Sequence, residues 1–243
     1  MDEYNLVLLI TIPLLFILGI KIKAFSREGA ITAAVIGSLI IIGGGWLYFV
    51  MLFLFLGLSY ISTLAGFEKK KSWSLQEGIK GERGARNVFA AGAIPAAVSL
   101  INFWGVSPKV VFFLYIVALG TILSDTAASE IGSLDEGTYM ILTLKPAETG
   151  INGGISILGT IVSLIFPLFF SILGFVIFGV LGSVSLISML DLTFMSGLIA
   201  FAGNLFDSVL GETLENRGYL TKYSVNFLSV SFATCIGALV FLR

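Results

Sequence analysis

Apolar residues along this chain run in long blocks that show neither a period of two nor a polar face. The stretches "YNLVLLITIPLLFILGI", "AITAAVIGSLIII", "WLYFVMLFLFLGLSYISTLAGF" and "VVFFLYIVALGTIL" are apolar on every side of a helix. A helix crosses the hydrocarbon of a bilayer with about 20 such residues, whereas a membrane barrel would alternate. The blocks predict spans at 5–20, 29–43, 46–66, 87–104, 109–124, 155–181, 187–206 and 223–242. The expected fold is an all-α polytopic membrane helix bundle of about 7 to 8 transmembrane helices, a single integral membrane domain over 1–243. Residues 155–206 carry Pro167, several glycines and Asp191, and admit two long helices or three shorter ones. Two is the reading that keeps the charged loops together.

Composition agrees: 57% of the 243 residues are hydrophobic and 12% charged, with a mean hydropathy of +1.02, outside the range of soluble domains. Asp2 and Glu3 stand where a signal peptide would be basic, and no small-x-small cleavage site follows, so the first stretch is expected to be a retained span. Cys235 is the only cysteine, which excludes a disulfide framework and a cysteine metal cluster. There is no histidine. Any chemistry is therefore left to carboxylates, Lys, Arg and hydroxyls.

With eight spans, loops 21–28, 67–86, 124–154 and 205–223 share one side and hold all but two of the 14 Lys and Arg. The positive-inside rule makes that side cytoplasmic. The same loops hold all but three of the 15 Asp and Glu, and orientation does not explain acids. Lys69 to Lys71 suit a topogenic or headgroup role; Lys80, Arg83 and Arg86 would face the same surface as the acids.

Two acidic stretches share a form: "DTAASE" at 125–130 and "DSVLGE" at 207–212, each at the end of an apolar run. On a helix Thr126 and Glu130 lie on one face, as do Ser208 and Glu212, while each Asp is about 140° from its Glu. One pair cannot clamp an ion from a straight helix. Either the Asp sits at a helix break, or one motif's Asp works with the other motif's Glu across two helices. Asn204 extends the second polar ridge. Ionisable groups at membrane depth cost about 2.5 to 3.5 kcal/mol each and face a partner, a cavity or a cation. Four gathered carboxylates, Asp125, Glu130, Asp207 and Glu212, would suit a hard cation such as Mg²⁺ held by oxygen alone.

Between them lies "LKPAETGINGGIS" at 144–156, where Gly150, Gly153 and Gly154 precede a long apolar block. A glycine-rich turn at a helix N-terminus can present N–H groups to an anion; Asn152, Ser156 and Lys145 would assist. It is not a Walker A loop, since no "GK[ST]" follows. Metal ligands, cations and backbone amides together are the apparatus of phosphoryl transfer. Without histidine, a phosphate monoester, already anionic, is a more natural acceptor than an alcohol. An ion-coupled transporter or lipid flippase is the alternative, and its charges should stand near the midplane. Nothing points to nucleic acid.

The segments "KGERGARNVFAAGAIPA", "LSDTAASEIG", "TLKPAETGINGGIS" and "GNLFDSVLGETLENRG", in that order, resemble the domain of unknown function 92 family, also known from transmembrane protein 19 and including the phytyl-phosphate kinase of vitamin E synthesis. The resemblance implies a membrane-embedded prenyl-phosphate kinase that moves the γ-phosphate of a nucleoside triphosphate, CTP or a similar one, to a prenyl monophosphate such as phytyl or geranylgeranyl phosphate. Carried over, its motif positions are Lys80, Gly81, Arg83, Asn87, Ser124, Asp125, Ser129, Glu130, Lys145, Gly150, Asn152, Gly153, Gly154, Ser156, Asp207, Ser208, Gly211 and Glu212. Ile151, where the family has Thr, and "NVFAAG", where it has "QVLANG", depart from the pattern.

The expected roles are Mg²⁺ ligation by Asp125, Glu130, Asp207 and Glu212, and phosphate neutralisation by Lys80, Arg83, Arg86 and Lys145. Ser124, Asn152, Gly153, Gly154, Ser156, Asn204 and Ser208 would bind substrate or nucleotide. Asp125, Glu130, Asp207, Lys145 and Arg83 would carry the catalysis. The acceptor's tail would lie between spans near Gly92, Ala96, Ala97 and Gly120, though small residues also serve close helix packing. The expected setting is a prokaryotic plasma membrane with the site facing the cytoplasm, among membrane lipid, with homo-oligomerisation left open.

Overall fold

The computed structural model describes residues 20–21, 24–76, 82–181 and 186–241. The expected span 5–20, save its last residue, lies outside them. Seven helices follow: α1 (Arg27–Leu64), the short α2 (Phe67–Ser72), α3 (Ala85–Leu100), α4 (Pro108–Gly132), α5 (Ile157–Leu181), α6 (Leu186–Leu210) and α7 (Lys222–Val240). Six of the helical stretches are long and apolar enough to cross a membrane.

α1 is two spans in one. Gly45 breaks it with φ 73 and ψ −167, a backbone conformation that glycine adopts without penalty. Its arms fold back on each other: a Cβ at Gly37 would touch Phe49 and Leu52 at 3.7 and 3.9 Å. The sequence expected this pair as 29–43 and 46–66. Asn102 Nδ2 donates to Gly43 O at the reversal (3.1 Å), so a carbonyl at the end of the first arm finds a partner in a setting where no polar backbone group can be left bare. Nearby, Tyr115 OH donates to Tyr48 O (2.7 Å).

α4 is the axis. Its residues from Val111 to Leu123 are buried on every face, and α1, α3, α5, α6 and α7 all pack against it. A helix apolar all round with no lipid face belongs in the middle of a bundle. Small residues set the approach of its neighbours, as membrane helices require: a Cβ at Gly120 would meet Ala200 Cβ at 3.1 Å and Pro167 at 3.6 Å. Pro167 has no N–H to offer the carbonyl one turn earlier. Ser124 Oγ donates to that carbonyl, Ser163 O, at 2.6 Å. Residues 155–206 thus resolve into two long helices, as expected, with the proline absorbed inside the first.

At one end of the bundle the connecting segments are stitched together. Arg83 N donates to Ala24 O and Ser26 N to Arg83 O, while a two-stranded hairpin pairs β1 (Tyr139–Met140) with β2 (Gly154–Ile155).

Candidate functional site

Both acidic stretches lie within helices rather than beyond their ends, a correction to the loop boundaries expected at 124 and 205. α4 continues through Asp125 and Glu130 to Gly132, and α6 passes Asp207 before winding into a π-helical turn at Gly211–Glu215. Hydropathy falls at the first carboxylate, but the helix continues because Asp125 lines a cavity and Glu130 is buried against neighbouring helices.

Asp125 from α4 and Asp207 from α6 line one polar cavity of about 230 Å³. Ser129, Asn204 and Ser208 line it with them, and Asn204 is only 4% exposed. Across from them is the loop of Asn152, Gly153, Gly154 and Ser156. Ser229 Oγ on α7 donates to Asp207 Oδ2 at 2.9 Å, fixing that carboxylate. The two motifs therefore meet across helices, but Asp with Asp rather than the Asp with Glu that the spacing suggested. Glu215, Lys222 and Asn226 complete the wall; none was singled out in the sequence.

The two glutamates expected beside these aspartates go elsewhere. Glu130 is buried against α1 and α2: Lys70 Nζ pairs with its Oε2 and Thr63 Oγ1 donates to its Oε1 at 3.2 Å. Glu212 Oε2 accepts the N–H of Leu142 at 2.7 Å. Neither lines the cavity. The roughly 140° between Asp and Glu on a helix sends them to different neighbours.

Among the described residues no group of three or more His, Cys, Asp or Glu converges to hold a metal ion. A pair of carboxylates beside hydroxyl and amide oxygens is nevertheless what Mg²⁺ takes when waters and phosphates supply its other ligands. Asp125 and Asp207 fit that group; Glu130 and Glu212 do not join them.

The glycine-rich loop owes its composition to backbone contact. Gly153 has φ 76, and a Cβ there would stand 2.4 Å from Glu212 N and 2.7 Å from Ser208 O. A Cβ at Gly211 would reach Gly153 N at 2.6 Å. Asn216 Nδ2 donates to Asn152 O (2.9 Å), clasping loop to turn. The first turn of α5, expected to offer free N–H groups, is capped internally. Leu158 N donates to Asp135 Oδ2 (3.2 Å) and Gly159 N to Ser156 Oγ (3.0 Å), while Ser156 Oγ donates to Gly132 O at 3.1 Å. Gly137 N donates to Asp135 Oδ1 at 3.1 Å, and this bond together with that from Leu158 N holds Asp135 below its ordinary carboxylate range.

The remaining candidates scatter. Ser124 is buried and spends its hydroxyl on Ser163 O. Lys145 and Arg86 are exposed and line neither this cavity nor the apolar groove beside it. Lys80 lies outside the described residues. Arg83 lines that groove and its Nη2 donates to Thr126 Oγ1 at 3.4 Å, beside Asp125. Of the small residues, Gly92 lines the groove, Gly120 packs helices, Ala96 is buried and Ala97 exposed.

A family described as integral membrane protein DUF92 matches residues 10–234. An uncharacterized membrane protein of Methanocaldococcus jannaschii is 29% identical over 238 residues, covering 96% of this chain and 94% of the relative. A second, from Synechocystis, is 30% identical over 208 residues, covering 84% and 78%. The chloroplast protein VTE6 of Arabidopsis thaliana is 25% identical over 237 residues, covering 93% and 69%. No solved structure matches. The family match runs over nearly the whole chain, apolar spans and polar motifs alike, and this chain belongs to the DUF92 family of integral membrane proteins.

Proposed function

We propose that the protein is a prenyl-phosphate kinase, transferring the γ-phosphate of a nucleoside triphosphate, CTP or a similar one, to a prenyl monophosphate. The observation that carries this reading is the meeting of Asp125 and Asp207, from two helices, in one polar cavity at the end of the bundle where the charged segments gather. The resemblance to a family that includes a phytyl-phosphate kinase supports it.

An oxygen of the acceptor's phosphate attacks the γ-phosphorus; the bond to the β,γ-bridging oxygen breaks, and the nucleoside diphosphate leaves with the electron pair. The acceptor is already an anion, so no base takes a proton, which suits a chain without histidine. Asp125 and Asp207 would hold Mg²⁺, which when bound neutralises the donor phosphates. Ser129, Ser208 and Asn204 would bond phosphate oxygens, Lys222 would balance the leaving charge, and Arg83 would hold the acceptor. By the positive-inside argument the site faces the cytoplasm, and the membrane we propose for it is a prokaryotic plasma membrane. The carrier alternative wants a carboxylate in mid-membrane. Asp191, its candidate, is on an exposed face of α6, about 24 Å along the helix from Asp207.

The test uses purified protein in detergent with Mg²⁺, geranylgeranyl monophosphate and γ-labelled CTP, resolving labelled prenyl diphosphate. Product from wild type, lost in Asp125→Asn and in Asp207→Asn, supports the proposal. Absence of product from folded protein with every prenyl phosphate and triphosphate tried would overturn it and direct attention to flux in liposomes.

A further inference from the structure

A second cavity stands apart from the polar one, between the two arms of α1 and the first half of α3. It is an apolar groove of about 490 Å³, the size of a small-molecule site. Its one charged lining residue among those described is Arg83, at the end where the charged segments gather. That guanidinium reaches Thr126, next to Asp125 in α4, so the groove's cationic end adjoins the helix segment that carries the acidic site.

The hydroxyl of Ser59 is an independent sign. It lines the groove, the residue is 4% exposed, and among the described residues its Oγ is the one buried side-chain hydroxyl with no hydrogen-bond partner. On the same arm Ser62 bonds back to the carbonyl of Leu58 and Thr63 reaches Glu130; Ser59 has neither kind of partner. A buried donor left unmade is costly, and the cost vanishes if a ligand oxygen sits there. An apolar channel with one guanidinium at its end and one waiting hydroxyl on its wall fits a single-chain amphiphile with a phosphate head.

We infer that this groove holds the acceptor's isoprenoid chain, with its phosphate between Arg83 and Ser59 and its tail running toward Gly37, which gauges chain length. The inference rests on the acceptor class proposed above. Gly37 lies about 10 Å deeper along the arm than Ala30. A Cβ there would make only ordinary contact with Phe49 and Leu52, so a side chain at 37 starts without a clash and takes up room in the groove that Gly37 lines.

The experiment photolabels full-length protein in detergent with geranylgeranyl monophosphate bearing a diazirine at the tail end, and maps labelled peptides. Expected is labelling within 49–55, competed by unlabelled geranylgeranyl monophosphate and about tenfold less well by geranylgeraniol, with Ser59→Ala binding about tenfold more weakly. Gly37→Leu should lose the geranylgeranyl probe yet keep binding geranyl monophosphate. Labelling elsewhere, equal competition by geranylgeraniol or by phosphatidylglycerol vesicles, or no labelling of folded protein would overturn the inference. The last two outcomes would mean that bilayer lipid or the chain's own residues 5–20 fill the groove. The transfer assay on the same preparation separates the two claims: groove labelling without labelled diphosphate sinks the kinase alone, and diphosphate formed with labelling elsewhere sinks the groove alone.

Discussion

Lys70 and Glu130, sixty residues apart in the chain, form an ion pair whose side chains are 0% and 8% exposed. Lys70 Nζ also donates to Thr63 O at 2.8 Å, so the ammonium closes the end of α1 while it neutralises α4. Removing one member of a buried pair strands the other charge, at about 3 to 5 kcal/mol. Lys70→Met and Glu130→Gln should each lower the unfolding temperature in detergent markedly, and Lys70→Met with Glu130→Leu should recover much of the loss. If Glu130→Gln left stability unchanged and instead raised the Mg²⁺ requirement of transfer, Glu130 would be a metal ligand after all.

Asp125→Asn and Asp207→Asn keep shape and remove charge. Each should cut transfer by at least about a hundredfold, the scale set by losing one charge-stabilising group, with little change in unfolding temperature. A variant that unfolded at lower temperature yet kept its turnover would assign the aspartate to stability alone.

At Gly153 a methyl group would run into the backbone of the π-turn, and the left-handed φ adds strain of about 1 to 3 kcal/mol. Gly153→Ala should open the loop to limited proteolysis near 150–153 and depress transfer. Protection equal to wild type would show that the loop has room to shift.

Asp135 gives a pH prediction. Its carboxylate is stabilised when ionised by the N–H groups of Gly137 and Leu158, so its folded pKa lies below the ordinary 3.8. That support is complete above 3.8 and is lost as pH falls through the folded value. Unfolding temperature followed from pH 5 downward should decline less steeply in Asp135→Asn than in wild type. Parallel curves would mean that the cap contributes nothing.

Much of the fold was legible because a bilayer demands long apolar helices: the α1 pair and the two helices within 155–206 followed from hydropathy. Helical spacing pointed to one motif's Asp beside the other motif's Glu across two helices; the cavity instead brings Asp125 together with Asp207. Glu130 misled, because a buried carboxylate reads alike in sequence whether its partner is a cation or a lysine. Lys70 sits among three consecutive lysines, and nothing local marks it as the buried one. Glu215 was invisible for another reason. The i→i+5 bond from Asn216 N to Gly211 O widens the winding, so α-helical counting from Asp207 misplaces it. Ser59 was missed because a lone serine in an apolar run ordinarily bonds its own helix.

The direct backbone contact of Gly153 with Glu212, and of Gly211 with Gly153, has a mechanical consequence. No side chain lies between these two segments to act as a cushion, so the loop cannot advance or retreat without pushing the turn that carries Glu215. Wall and loop make one stiff piece, clasped by the bond from Asn216 to Asn152, and any displacement of one would be felt at both sides of the cavity at once.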